Sequence, residues 1–216
     1  MTTSDVRLQS AIYPESDGEP VGETDIHRRL MFDLIFALTN WLNQTIAYVA
    51  GNLFIYYEEG NPAAVVAPDV FVIPGVPQAD HRVYKSWEND RKLPAFVIEL
   101  TSSKTRYEDL GNKRVLYAEL GVQEYYVFDP LGDYLDPRLR GYQLIDGELL
   151  PLPGPRFFSR LLNLELRAVG DTLRFYEMGS DTALPTPAEE REARLAAEAE
   201  IERLRAEIER LRAGHQ

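Results

Sequence analysis

Ile26, Leu30, Leu34, Leu38 and Trp41 recur three to four residues apart, and this spacing predicts an amphipathic helix over residues 24–42. Two short apolar runs follow, "NLFIYYEE" and "APDVFVIP", and the Gly60, Asn61 and Pro62 between them predict a turn closing a hairpin. A third strand is expected over residues 95–101. The sequence "TRYE" at 105–108 then fits a capping box, in which a Thr105 hydroxyl and a Glu108 carboxylate satisfy each other's backbone amides. The helix it starts is expected to run to about Leu120 and stop at Gly121, before a fourth strand, "EYYVFDP". The order is helix, three strands, helix, strand. Because a helix links the last two strands, they are expected to be parallel.

Two more hairpins are predicted, at "GYQLIDGELLPLP" around an Asp-Gly turn and at "LELRAVGDTLRFYE", extending the sheet or covering its edges. The expected division is a domain over 1–180, followed over 181–216 by a linker and a charged helix. Thr186, Pro187 and Glu189 mark the start of that helix. Ile201, Leu204, Ile208 and Leu211 then follow the three-four-three spacing of a coiled-coil seam, and alternating isoleucine and leucine favours two parallel strands. A homodimer is the expectation. The seam is short, and a solvated single helix fits the same pattern.

The formal net charge of −12 over 216 residues argues against broad, non-specific attraction to nucleic acid or to anionic membranes. Basic residues nevertheless cluster in "HRVYKSWENDRKLP" and "SSKTR". The absence of cysteine excludes disulfides and thiolate ligands, and the three histidines are scattered, so any metal is expected to be held by oxygens. No segment approaches the roughly 20 apolar residues that span a bilayer, and the opening residues hold no apolar run. A cytoplasmic protein without a membrane anchor is expected.

Candidate chemistry comes from polar groups in apolar surroundings. In the third strand Phe96, Ile98 and Leu100 share one face, and Val97, Glu99 and Thr101 the other, so Glu99 is expected to look toward a covering helix. Asp69, after Pro68, shares the parity of Phe71 and Ile73 and reaches the same crevice if the register allows. On the second helix Asp109 and Lys113 fall within the stripe of Leu110, Leu116, Tyr117 and Leu120, and Lys113 leans back toward Glu99. On the first helix, Glu23 and His27 share the face of Leu30 and Leu34. Each has an ordinary explanation: a turn residue for Asp69, an i,i+4 salt bridge for Asp109 and Lys113, a core histidine for His27, a helix-start acid for Glu23. The combination is what points to chemistry, because lone buried charges cost several kcal/mol.

Two carboxylates with a backbone carbonyl and waters make a hard oxygen site for Mg²⁺ or Mn²⁺. Such an ion polarises a phosphoryl oxygen and acidifies a bound water, and a lysine steadies the developing charge, which is the chemistry of phosphodiester hydrolysis. Lys85, Arg91, Lys92, Lys104 and Arg106 are candidates for contacts to a nucleic-acid backbone. No "HExxH" or "GxSxG" pattern occurs to support a zinc hydrolase or a serine hydrolase.

The stretches "APDVFVIPGV", "FVIELTSSKTRYEDLGNKRVLYAELGVQEYYVFDP" and "GYQLIDGE" resemble the Uma-two family of restriction-endonuclease-like proteins, within the PD-(D/E)XK nuclease superfamily. The resemblance spans about residues 20–175. It implies an α/β restriction-endonuclease-like core with added C-terminal hairpins and a terminal helix, and an endonuclease acting on DNA. It further implies that Asp69 and Glu99 hold the metal, with Glu23 the acid sometimes found on the first helix. The superfamily lysine, two residues after the strand acid, is replaced here by Thr101. The family's helical lysine matches Lys113, with Lys104 the second choice. The other function weighed is a catalytically inactive nuclease-fold module for nucleic-acid binding or protein assembly.

Overall fold

The structure, a computed structural model, describes residues 12–15, 24–102 and 105–213. Thr24 starts helix α1 (Asp25–Trp41), its hydroxyl accepting from the His27 amide at 3.3 Å. The expected apolar stripe is the buried face, with Leu30, Leu34 and Leu38 at its centre. Trp41 is anchored where its indole N–H donates to the Leu162 carbonyl at 2.8 Å.

The hairpin expected from "NLFIYYEE" and "APDVFVIP" does not form. The antiparallel partner of β4 (Val70–Pro74) is an earlier strand, β1 (Ala47–Ala50), with Tyr48 opposite Ile73. Residues of the first predicted strand instead form β2 (Ile55–Tyr56), which pairs antiparallel with β3 (Val65–Val66) and parallel with β5 (Tyr84–Lys85) in a small side sheet. The turn at Gly60 therefore closes β2 on β3. What divides β1 from β2 is Gly51 and Asn52, the latter with φ of 48°, a left-handed conformation that asparagine tolerates. A four-residue strand directly after a helix carries little periodicity, and its pairing is set by a distant partner.

β6 (Phe96–Leu100) lies beside β4 and parallel to β7 (Glu124–Phe128), as the crossover rule requires. β8 (Leu139–Ile145) and β9 (Glu148–Pro151) form the hairpin expected around Asp146 and Gly147 and extend the same sheet, whose order is β1-β4-β6-β7-β8-β9. Within this sheet the chain follows the expected order of helix, three strands, helix and strand. The second helix is broken, however, into α2 (Arg106–Leu110) and α3 (Asn112–Glu119) at Gly111. The capping box at its start is also absent. Thr105 already has near-helical angles, and its hydroxyl accepts from the Ser102 amide at 3.1 Å rather than from Glu108.

The strands alternate as predicted. Phe96, Ile98, Leu100, Val70 and Val72 face a core shared with α1, while Val97, Phe71 and Ile73 face a second core that includes Tyr117 of α3. The first core is closed by a separate antiparallel sheet of β10 (Arg156–Ser159), β11 (Leu164–Val169) and β12 (Thr172–Glu177), which supplies Phe157, Leu166 and Phe175. The hairpin predicted at 164–177 is β11 with β12. A final helix, α4 (Pro187–Ala213), starts with the expected reciprocal cap: the Thr186 amide donates to Glu189 at 2.8 Å and the Glu189 amide to the Thr186 hydroxyl at 3.3 Å.

One close approach sets the position of the chain at residue 69. A Cβ on Gly51 would fall 1.9 Å from the Asp69 carbonyl oxygen and 2.9 Å from a methyl carbon of Ile35, so only glycine lets β1 pass that carbonyl. Gly51→Ala is expected to destabilise the fold by about 1–3 kcal/mol through forced displacement of backbone. A lowered urea midpoint with an unchanged slope checks it.

Candidate active site

The strand alternation that buries Val97 also buries Glu99. Its side chain is 2 % exposed, and two groups meet it from the covering helices. Lys113 Nζ lies 3.0 Å from Glu99 Oε2 and 2.9 Å from Asp109 Oδ1, bridging strand and helix. The Tyr117 hydroxyl donates to Glu99 Oε1 at 2.6 Å. Lys113 and Tyr117, four residues apart on α3, thus grip the two oxygens of one carboxylate. Asp109 is tied to the sheet by its own carbonyl, which accepts from the Tyr125 hydroxyl at 2.7 Å.

Asp69 stands at the open side of the same crevice. Its Oδ2 accepts from the Leu100 amide at 2.7 Å, and its Oδ1 lies 3.1 Å from His27 Nε2 on α1. The Asp69, His27 and Lys113 side chains are 15 %, 14 % and 20 % exposed, against 2 % for Glu99. Solvent therefore reaches the cluster along its Asp69–His27 and Lys113 edges. Asp69, Glu99 and Lys113, predicted to converge, are brought together. Glu23 and Lys104 lie outside the described residues.

The electrostatics follow from burial and from an imbalance of charge. Burial pushes Glu99 up to about 8, and Asp69 and Asp109 push the same way, while Lys113 and the Tyr117 hydroxyl oppose them. For Lys113 burial works to lower the pKa, but Glu99 and Asp109 outweigh it and hold the group above its ordinary value, so the lysine is a cation. Burial, followed by the nearby Glu99, holds Tyr117 and Tyr125 well above the usual phenol range, keeping both hydroxyls as donors. Two carboxyl groups contact one ammonium, and Asp69 acts on it electrostatically. One of the Asp109 oxygens, Oδ2, has no hydrogen-bond partner among the described residues, and neither does the buried Thr101 hydroxyl two residues beyond Glu99.

These donors fit a hard divalent cation, although the described residues hold no group of three or more His, Asp or Glu arranged for a metal. Asp69 and Glu99 are hard oxygen donors of the kind divalent cations take, and each of their oxygens already has a partner within the protein. A cation beside Glu99 would favour the ionised carboxylate that burial opposes. The basic residues predicted to touch a backbone are partly occupied. Lys85 pairs with Glu88 at 3.1 Å, Lys92 donates to the Gly75 carbonyl at 2.7 Å, and Arg106 lies 4.5 and 4.9 Å from the ring centres of Tyr107 and Tyr134.

Sequence reasoning had placed Tyr117 only in an apolar stripe. The signal for its role was its spacing from Lys113, since a buried tyrosine hydroxyl needs a partner and the same stripe faces Glu99. His27, whose ordinary reading is a core histidine, lies against Asp69.

The architecture is a mixed α/β fold whose central sheet carries an acid–lysine cluster. The chain belongs to the Uma2 family, described as "Putative restriction endonuclease", whose sequence profile matches residues 9–154. The match ends after β9 and leaves out the β10–β12 sheet and α4. One similar solved structure is a crystal structure of "a putative nuclease belonging to DUF820" from Anabaena variabilis ATCC 29413. It is 15 % identical, the alignment covering 64 % of this chain and 73 % of that one with a TM-score of 0.46. No curated protein matches the chain. Among the described residues no helix is long and apolar enough to cross a membrane.

Lys113→Met strands the buried Glu99 and Asp109 without their cation and is expected to cost roughly 3–5 kcal/mol. Adding Glu99→Gln should recover part of that loss, and a double-mutant cycle by urea unfolding measures the coupling. Additive costs would show that the two groups do not interact.

Proposed function

We propose that the protein is a magnesium-dependent endonuclease that hydrolyses phosphodiester bonds of DNA. The observation that carries this reading is the approach of Lys113 to within 3.0 Å of Glu99, in a crevice whose edge is Asp69. Family membership supports the nuclease class, and the donor set supports the ion. In this reading Asp69 and Glu99 hold the cation. When bound, the ion polarises a phosphoryl oxygen and makes a coordinated water a stronger nucleophile.

The chain's own groups do the rest. Lys113, kept charged by its two carboxylates, would stabilise negative charge developing on phosphate. Tyr117 fixes one Glu99 oxygen through its hydrogen bond, and His27 orients Asp69 on the open side. Lys113 takes the part of the strand lysine whose position is Thr101. Glu23 is assigned as an accessory acid, and Lys85, Arg91, Lys92, Lys104 and Arg106 as backbone contacts. Residues 1–180 form the nuclease unit. The reading includes a cytoplasmic location and a homodimer joined through α4.

Supercoiled plasmid incubated with protein and Mg²⁺ is expected to be nicked, and chelation should stop it. Glu99→Gln and Lys113→Met should each slow nicking by about 10²-fold or more, with circular dichroism confirming a folded variant. Equal nicking by all three proteins would show contaminating activity. No nicking with Mg²⁺ or Mn²⁺, together with DNA binding indifferent to Glu99→Gln, would favour the inactive module. That second reading has one observation behind it: both Glu99 oxygens are already engaged within the protein.

A further inference from the structure

Helix α4 runs for 27 residues and buries none of them, although Ile201, Leu204 and Ile208 expose 48 %, 46 % and 49 % of their surface in a row along one side. Among the described residues its first turn is held to the body of the protein, where Glu189 pairs with Arg174 at 2.7 Å and Glu190 meets the Asn40 amide at 3.4 Å. Beyond that the helix projects. With Ile201 and Ile208 at the first core position of each heptad and Leu204 and Leu211 at the fourth, Glu200 and Glu207 immediately precede the isoleucines, and Arg205 and Arg212 immediately follow the leucines. Both positions that flank the seam are charged in both heptads, and each keeps one sign throughout.

That arrangement selects an orientation as well as a partner. In a parallel, in-register pair the residue before each isoleucine faces the residue after the next leucine of the other helix. Glu200 then meets the second copy's Arg205, and Glu207 its Arg212, each twice by symmetry. In an antiparallel pair like flanks face one another, glutamate against glutamate and arginine against arginine, which is repulsive. The isoleucine–leucine alternation independently favours two parallel strands. The helix's internal pairs, Glu200 with Arg203 at 2.5 Å and Glu202 with Arg205 at 2.8 Å, are exposed and contribute little, so they can exchange for contacts between chains. Upstream the seam stops, because Arg194 occupies the next isoleucine-equivalent position and pairs with Glu198 along its own helix at 3.8 Å.

We infer that α4 is a dimerisation helix whose occupant is a second copy of this chain, bound parallel and in register through residues 200–213. This specifies the dimer named above and is independent of the chemistry at Glu99: a failed plasmid assay leaves it intact, and its own failure leaves the nuclease reading intact. Because both helices start from the bodies of the two protomers, the parallel pairing places both bodies at the same end of the coil.

The test uses the full chain. Its weight-average mass in sedimentation should rise toward twice that of one chain as concentration increases. The variants Glu200→Arg/Glu207→Arg and Arg205→Glu/Arg212→Glu each carry one sign on both flanks and should run as single chains alone, yet regain the doubled mass when mixed. Since the chain contains no cysteine, Leu204→Cys provides a clean orientation probe. Oxidation should join Leu204→Cys chains to one another in preference to Ile208→Cys chains. The inference is overturned by a single-chain mass at every concentration, by charge variants that dimerise as well as the wild type, or by preferential joining of Leu204→Cys to Ile208→Cys, the antiparallel outcome.

Discussion

The structure depends on satisfying one carboxylate in the middle of a sheet. Glu99 sits on β6 among side chains that water does not reach, and an isolated charge there would be neutralised or would unfold the strand. Its partners can come only from above the sheet, because its neighbours along the strand point the other way. The chain supplies them from the crossover that makes β6 and β7 parallel: Asp109, Lys113 and Tyr117 all lie on the two short helices between those strands. Topology and chemistry are thus one constraint. A hairpin joining β6 to β7 would leave Glu99 with nothing to face.

The cluster is balanced in hydrogen bonds more nearly than in charge. Tyr117, Lys113, His27 and the Leu100 amide engage the Glu99 and Asp69 oxygens, yet Glu99 and Asp109 share one lysine. A purely structural cluster would gain by losing one acid, since replacing buried ion pairs with apolar groups of similar size is often neutral or stabilising. The cost retained here, visible as a Glu99 pushed up to about 8, is the kind concentrated where a site must meet a cation or a reacting group.

Much of this was legible because periodicity and charge conflict at only a few positions. Strand alternation put Glu99 on the inner face, and a helical stripe put Lys113 opposite it, without knowledge of which strands pair. The β1–β4 pairing was not legible, because "AYVA" is too short for a pattern and its register comes from residues more than 20 positions away. The Thr105–Glu108 box failed for a related reason. The motif satisfies a local rule, but the hydroxyl has a competing partner in Ser102, and the chain takes that turn instead. Asp69 was assigned by parity alone, and the β1–β4 contact that actually positions it, past Gly51, leaves no periodic trace.

Thr101 shows how the two halves of the cluster limit each other. It lies two residues along the strand from Glu99, about 6–7 Å away and on the same face, so a lysine there would project into the space that Lys113 enters from α3. Two ammonium groups would then compete for the same carboxylates, with one left buried and underpaired. Lys113 serves Glu99 and Asp109 at once because it descends between strand and helix, which a side chain rising from the strand cannot do without displacing it. A small uncharged residue at 101 is therefore the choice consistent with a helical lysine.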